Sequence, residues 1–143
     1  MGASRQGGKR RTYTVRRRRR LAVAPKVVFR ALTNASELKA WSGQVGRVEA
    51  RPGGRFSMFG GWMIGKILEA RAPRRLVYTW RYTRWPRTVA DSTVFWTITP
   101  VPGGTRLSLV HTGLPNKTEW RRHWSGWETH FLGPLARHLE RRG

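Results

Sequence analysis

The chain has 143 residues, 29 of them lysine or arginine and 7 aspartate or glutamate, for a formal net charge of +22. Eight tryptophans and a hydrophobic fraction of 38% supply one substantial core, which excludes a disordered basic tail. The absence of cysteine excludes disulfides, thiolate metal sites and cysteine nucleophiles.

No apolar run approaches the ~20 residues that span a bilayer, and no hydrophobic stretch follows the basic N-terminus as a secretory signal requires. A cytoplasmic location without a membrane span is therefore expected. Residues 1–10, rich in glycine and arginine, read as a flexible basic leader, and residues 11–143 as a single domain.

Thr12 to Val23 has β-branched and aromatic residues on both sides of a run of five arginines, Arg16, Arg17, Arg18, Arg19 and Arg20. Alternation along a strand places arginine on both faces, which predicts a solvated edge strand and makes these five the candidate polyanion contacts. Pro25 suits the first turn of a helix, and Val28, Phe29 and Leu32 follow at helical spacing. Thr33-Asn34 breaks that helix, and Ser36 is positioned to cap a second, carrying Leu38 and Trp41 up to Ser42-Gly43.

From Val45 the pattern changes to strands separated by turn signals. The expected strands are Val45 to Arg51, Arg55 to Phe59, Trp62 to Ala70, Arg75 to Arg84, Ser92 to Thr99 and Thr105 to Thr112. Pro52-Gly53-Gly54, Gly60-Gly61, Ala72-Pro73 and Pro102-Gly103-Gly104 supply turns. Alternation puts Leu76, Tyr78, Trp80 and Tyr82 on one face, then Val94, Trp96 and Ile98, then Leu107, Leu109 and His111. Lys117 to Arg142 reads as one long helix with a stripe of Trp120, Trp124, Trp127, Phe131, Leu135 and Leu139. Gly133-Pro134 predicts a kink within it.

Five phrases in this order resemble the START-like, or SRPBCC, superfamily, in the branch homologous to the activator of the heat-shock ATPase. They are VAPKVVFRALTNASELKAW, RPGGRF, ILEARAPRRLVYTW, STVFWTITPVPGGTRLSLVHTGLP and HWSGWETHFLGPLARHL. The resemblance covers the chain from about Arg11. It implies an α+β helix-grip fold, a curved antiparallel sheet wrapped around a long C-terminal helix, with two short helices after the first strand. It further implies a cavity between sheet and helix that often holds an apolar small molecule. Acids are scarce against that pattern, with Asn34 and Asn116 standing where aspartate would be unsurprising. Surface supercharging of a natural domain would give such a sequence, and so would a thermophilic or GC-rich source.

The expected cavity wall is Tyr78, Trp80, Trp96, Leu109, His111, Trp127 and Phe131, an apolar surface with few polar groups, as ligand sites usually are; plain core packing is the competing reading. His111 is the best single candidate for chemistry, with Glu128 its nearest candidate carboxylate, yet no set of nucleophile, base and orienting group emerges. His123, His130 and His138 lack tight metal-ligand spacing, and the glycine pairs fit hairpin turns rather than phosphate loops. No catalytic residue, metal or cofactor is assigned, and the sequence leaves oligomeric state open. The leading functional reading is a non-enzymatic module for an apolar small molecule or a protein partner. Non-specific nucleic-acid or polyanion binding through the arginines is the alternative, and a cyclase-like enzyme using His111 and an arginine is a third.

Overall fold

In the computed structural model, which describes residues 11–142, the chain forms a curved seven-stranded antiparallel sheet gripping a C-terminal helix. The strands are β1 (Tyr13–Leu21), β2 (Arg47–Val48), β3 (Arg55–Met58), β4 (Met63–Arg71), β5 (Arg75–Tyr82), β6 (Ser92–Val101) and β7 (Gly104–Leu114), ordered β1-β7-β6-β5-β4-β3-β2. Thus β1 crosses over to pair with β7, while all the others follow in hairpins. The residues that alternate inward on β6 and β7, Val94, Trp96 and Ile98 with Leu107, Leu109 and His111, are all essentially sealed from solvent.

Helix α1 (Pro25–Thr33) begins at Pro25 and buries Val28, Ala31 and Leu32. It stops at Asn34, whose extended backbone ends one helix and starts the next, α2 (Ala35–Ser42). The cap of α2 is Asn34 rather than Ser36: its side-chain oxygen accepts the Glu37 N–H at 3.1 Å. Gly43, in the left-handed region at φ 80°, closes α2.

Strand β2 is shorter than Val45 to Arg51. Upstream of it the Val45 carbonyl accepts the Gly60 N–H at 2.9 Å, in the turn beyond the end of β3, and Gly46 leaves room for the Met58 sulfur. Downstream, the Glu49 carboxylate accepts the Arg55 N–H at 3.0 Å and the backbone turns.

The terminal helix departs most from expectation. It comprises α3 (Lys117–Gly126), a π-helical turn (Trp127–Leu132) and α4 (Gly133–Arg142). The irregularity expected at Gly133-Pro134 takes the form of this wider turn just before it, closed by a bond from the Gly133 N–H to the Glu128 carbonyl. A β-carbon at Gly133 would lie 2.8 Å from that carbonyl, so the turn requires glycine there.

The π turn also explains the spacing of the stripe. Trp127, Phe131, Leu135 and Leu139 recur every four residues, and at about 100° per residue an α-helix would rotate the last ~120° from the first. Absorbing one residue in the turn reduces that to ~20°, so all four are buried together. Trp124 is the exception. It is 40% exposed, and the position facing the sheet is taken by His123, 8% exposed.

Three bonds fasten this helix to the edge strand. The Trp120 indole donates to the Thr14 carbonyl at 2.8 Å, Arg17 donates to the Trp124 carbonyl at 2.7 Å, and Arg19 pairs with Glu128 at 2.9 Å. Arg17 also lies over the Trp124 ring, 3.9 Å from its centroid.

Candidate functional site: a tryptophan–histidine relay beneath an aromatic cleft

Three strands and the terminal helix converge on two buried imidazoles. The Trp127 indole donates to His111 Nδ1 at 3.0 Å, which leaves the ring's proton on Nε2, 2.7 Å from Ser92 Oγ. Ser92 passes a hydrogen bond to the Trp80 carbonyl at 3.2 Å. The Trp80 indole in turn donates to His123 Nε2 at 3.1 Å, and His123 Nδ1–H meets the Glu119 carbonyl at 2.8 Å. An indole nitrogen can only donate, so each histidine is fixed as a neutral tautomer by the tryptophan that faces it.

Electrostatics agrees with that geometry. Burial holds His111 well below the ordinary histidine value, and the nearby His123 lowers it further. Burial also lowers His123, against the opposing pull of the Glu119 carbonyl and carboxylate. Tyr78 receives the Trp96 indole N–H at 2.9 Å, and burial pushes its phenol up.

Above this relay lies a cleft of about 470 Å³ between the helix and the β3–β5 end of the sheet. Phe59, Trp62, Met63 and Tyr82 form one wall, and Gly126, Trp127 and Phe131 the other, with Trp80 and His123 at the base. Gln44, Arg122 and His130 stand among the lining residues as polar groups, together with Glu119, whose carboxylate pairs with Arg122 at 3.0 Å.

Of the seven residues expected to line a cavity, Trp80, Trp127 and Phe131 do so. Tyr78, Trp96, Leu109 and His111 lie behind them as fully buried core. Trp96 packs against Trp127 and Phe131 at ring separations of 5.6 and 5.2 Å and forms a backing layer. The Phe59–Trp62 wall carries no periodic signal in the sequence, because it arises from a short turn after β3 in which Phe59 itself adopts φ 56°. His123, singled out in the sequence only for its loose spacing to His130 and His138, is here the acceptor of the Trp80 indole N–H.

The arginine run divides by strand alternation. Arg16, Arg18 and Arg20 are exposed on the outer face, whereas Arg17 and Arg19 are the half-buried clamps on the helix. Glu128 therefore serves Arg19 and does not approach His111 as a partner.

The helix-grip architecture is shared with known proteins. Residues 22–140 match the model of the family described as activator of Hsp90 ATPase homolog 1-like protein. The chain belongs to that family. Among curated members of this activator family, a mouse activator of 90 kDa heat shock protein ATPase homolog 2 is 33% identical over 84 residues, covering 59% of this chain and 25% of that protein. The human homolog 1 is 26% identical over 109 residues, covering 76% and 32%. The chain thus spans about a quarter to a third of the length of the curated relatives it matches.

Solved structures agree over nearly the whole domain. An Hsp90 activator from Plasmodium falciparum superimposes with a TM-score of 0.78 at 29% identity, covering 90% of this chain and 96% of that one. CalU16 from Micromonospora echinospora gives 0.75 at 27% identity, covering 87% and 73%.

Proposed function

We propose that this member of the activator family is a non-enzymatic START-like module that takes an apolar small molecule into the cleft between the π turn and β3–β5. The observation that carries this reading is the cleft itself: about 470 Å³, within the range of small-molecule sites, and walled largely by aromatic and apolar side chains. A cyclase-like reaction is disfavoured on the same geometry. His111 has both ring nitrogens engaged and lies behind Trp80 and Trp127, so it is not free to reach a substrate proton. The relatives' names make a heat-shock ATPase a candidate protein partner, to be tested separately by its effect on that ATPase.

Gly126 provides the test. It lines the cleft in helical conformation, and a β-carbon there would meet nothing closer than His130 Cδ2 at 4.0 Å. Gly126→Leu should fill the cleft without straining the backbone and, by helix propensity, without loss of stability. Nile red, a neutral apolar dye, should bind the wild type saturably with quenching of tryptophan fluorescence. Binding should weaken at least tenfold in Gly126→Leu. Equal binding by the two proteins, or no saturable binding by the wild type, would overturn the reading.

A further inference from the structure

The outer face of the sheet carries a pattern independent of the cleft. Strand register aligns its outward residues in rows: Arg20, Arg106 and Thr99; then Arg18, Ser108, Thr97 and Arg75; then Arg16, Val110 and Phe95. Arg20 lies directly opposite Arg106, a like-charge pairing that destabilises a sheet unless an anion bridges it. Among the described residues, no carboxylate pairs with Arg16, Arg18, Arg20 or Arg106, although each other arginine of β1 has a partner on the helix. The Arg20 guanidinium does reach the Pro102 carbonyl, which tethers it over the β6–β7 turn.

The rows run into a surface crevice. Thr97 and Thr99 line it together with Arg71, Arg74 and Arg75. Arg71 and Arg75 are shared with Glu69, but Arg74 is exposed. Cations and hydroxyl donors therefore continue from the edge strand across β7 and β6 to the β4–β5 turn.

We propose that this face, with Arg16, Arg18, Arg20 and Arg106 leading to the crevice at Arg74, binds the phosphate backbone of single-stranded nucleic acid. Alternate residues of a strand are about 6.7 Å apart, so the β1 arginines form an evenly spaced row of cations along which a flexible single strand can lay its phosphates. Arginine forks and hydroxyls are the side chains that hold phosphate oxygens. The face is convex, so a stiff duplex touches it only along a line, whereas a flexible single strand follows the curve. Large exposed apolar side chains, which a lipid surface would require, are absent from these rows among the described residues: Ile64 and Leu68 lie on β4, at the far side of the sheet from β1, and Val45, Trp62 and Trp124 lie outside the strands.

The test separates a built face from net charge. Anisotropy of a labelled oligothymidylate of about 20 nucleotides, read across ~50–200 mM salt, is compared for two charge-matched variants. One carries Arg16→Gln, Arg18→Gln and Arg20→Gln. The other carries Lys26→Gln, Lys39→Gln and Arg121→Gln, all exposed on the helical side. The first should lower the slope of log K against log salt by about 2, three contacts at ~0.7 each, while the second leaves it nearly unchanged. Arg106→Gln alone should lower it by about 0.7, and serves if the triple variant does not fold. Equal losses in both triple variants would overturn the proposal. So would tighter binding of the duplex than of the single strand, or dependence on these arginines seen only with phosphatidylserine vesicles.

Discussion

The Trp127 indole N–H points at His111 Nδ1 across 3.0 Å, and that bond decides where the imidazole keeps its proton. It joins the π turn to the centre of the sheet, between a tryptophan in the cleft wall and a fully buried histidine. The contact is at once a fastening of helix to sheet and a device that excludes protonation.

Replacing Trp127 with phenylalanine keeps most of the ring packing but leaves His111 Nδ1 without a donor. The expected cost is about 1–3 kcal/mol, the range for orphaning a buried polar group, read as a shift in urea midpoint. Trp124→Phe, at the exposed position one turn away, should cost less than ~1 kcal/mol. Equal losses at the two positions would show that aromatic volume, not the hydrogen bond, matters.

Stability should fall in mild acid. Both His111 and His123 have folded values below the ordinary 6.5, so below that pH the unfolded chain binds protons that the folded chain refuses. Stability is therefore full above about pH 6.5 and declines as pH falls toward the lowered folded values. Each histidine contributes at most ~1.4 kcal/mol per pH unit in that window. Urea midpoints between pH 7.5 and 5 should show this decline, and a flat profile would mean that the imidazoles accept protons in place.

The two helix caps are equivalent in form. Asn34 and Asn116 each accept the N–H of a glutamate three residues on, at 3.1 and 2.8 Å. Changing either to alanine should cost about 0.5–2 kcal/mol, whereas Ser36→Ala should be nearly neutral. Thermal denaturation of the three variants checks the order.

The clamps on the edge strand should differ in salt sensitivity. Arg19 and Glu128 are 35% and 44% exposed, so Arg19→Ala should cost no more than ~1 kcal/mol, and less at high salt. Arg17 combines a bond to a carbonyl with contact on the Trp124 face, and its loss should persist in 1 M salt.

Much of this architecture is legible in the chain because β5, β6 and β7 each bury one alternating face, a period-two signal that nothing local contradicts. The short helices are legible too, though their boundary is not: Asn34 and Ser36 are both good caps, and only the break after Thr33 selects the first. Strand β2 ends where the Glu49 carboxylate takes the Arg55 N–H, a contact between residues six apart that the period-two pattern does not encode. Within the site, the strand residues facing inward are readable, but which of them touch the cleft depends on how deeply Trp96 fills the space. Helical spacing and hydrophobicity place Trp124 in the stripe, yet His123 takes the buried position. The relay supplies the missing reason, since His123 has a donor and an acceptor waiting for it.

The π turn has a consequence for any change in chain length. Deleting one residue between Trp127 and Leu132 would let an ordinary i to i−4 ladder run through, and eleven α-helical steps would still bring Leu139 to within ~20° of Trp127. Leu135 and Leu139 would stay on the sheet. An α ladder run through the full-length segment would instead swing the ten residues of α4 by ~100° and carry both leucines away from it.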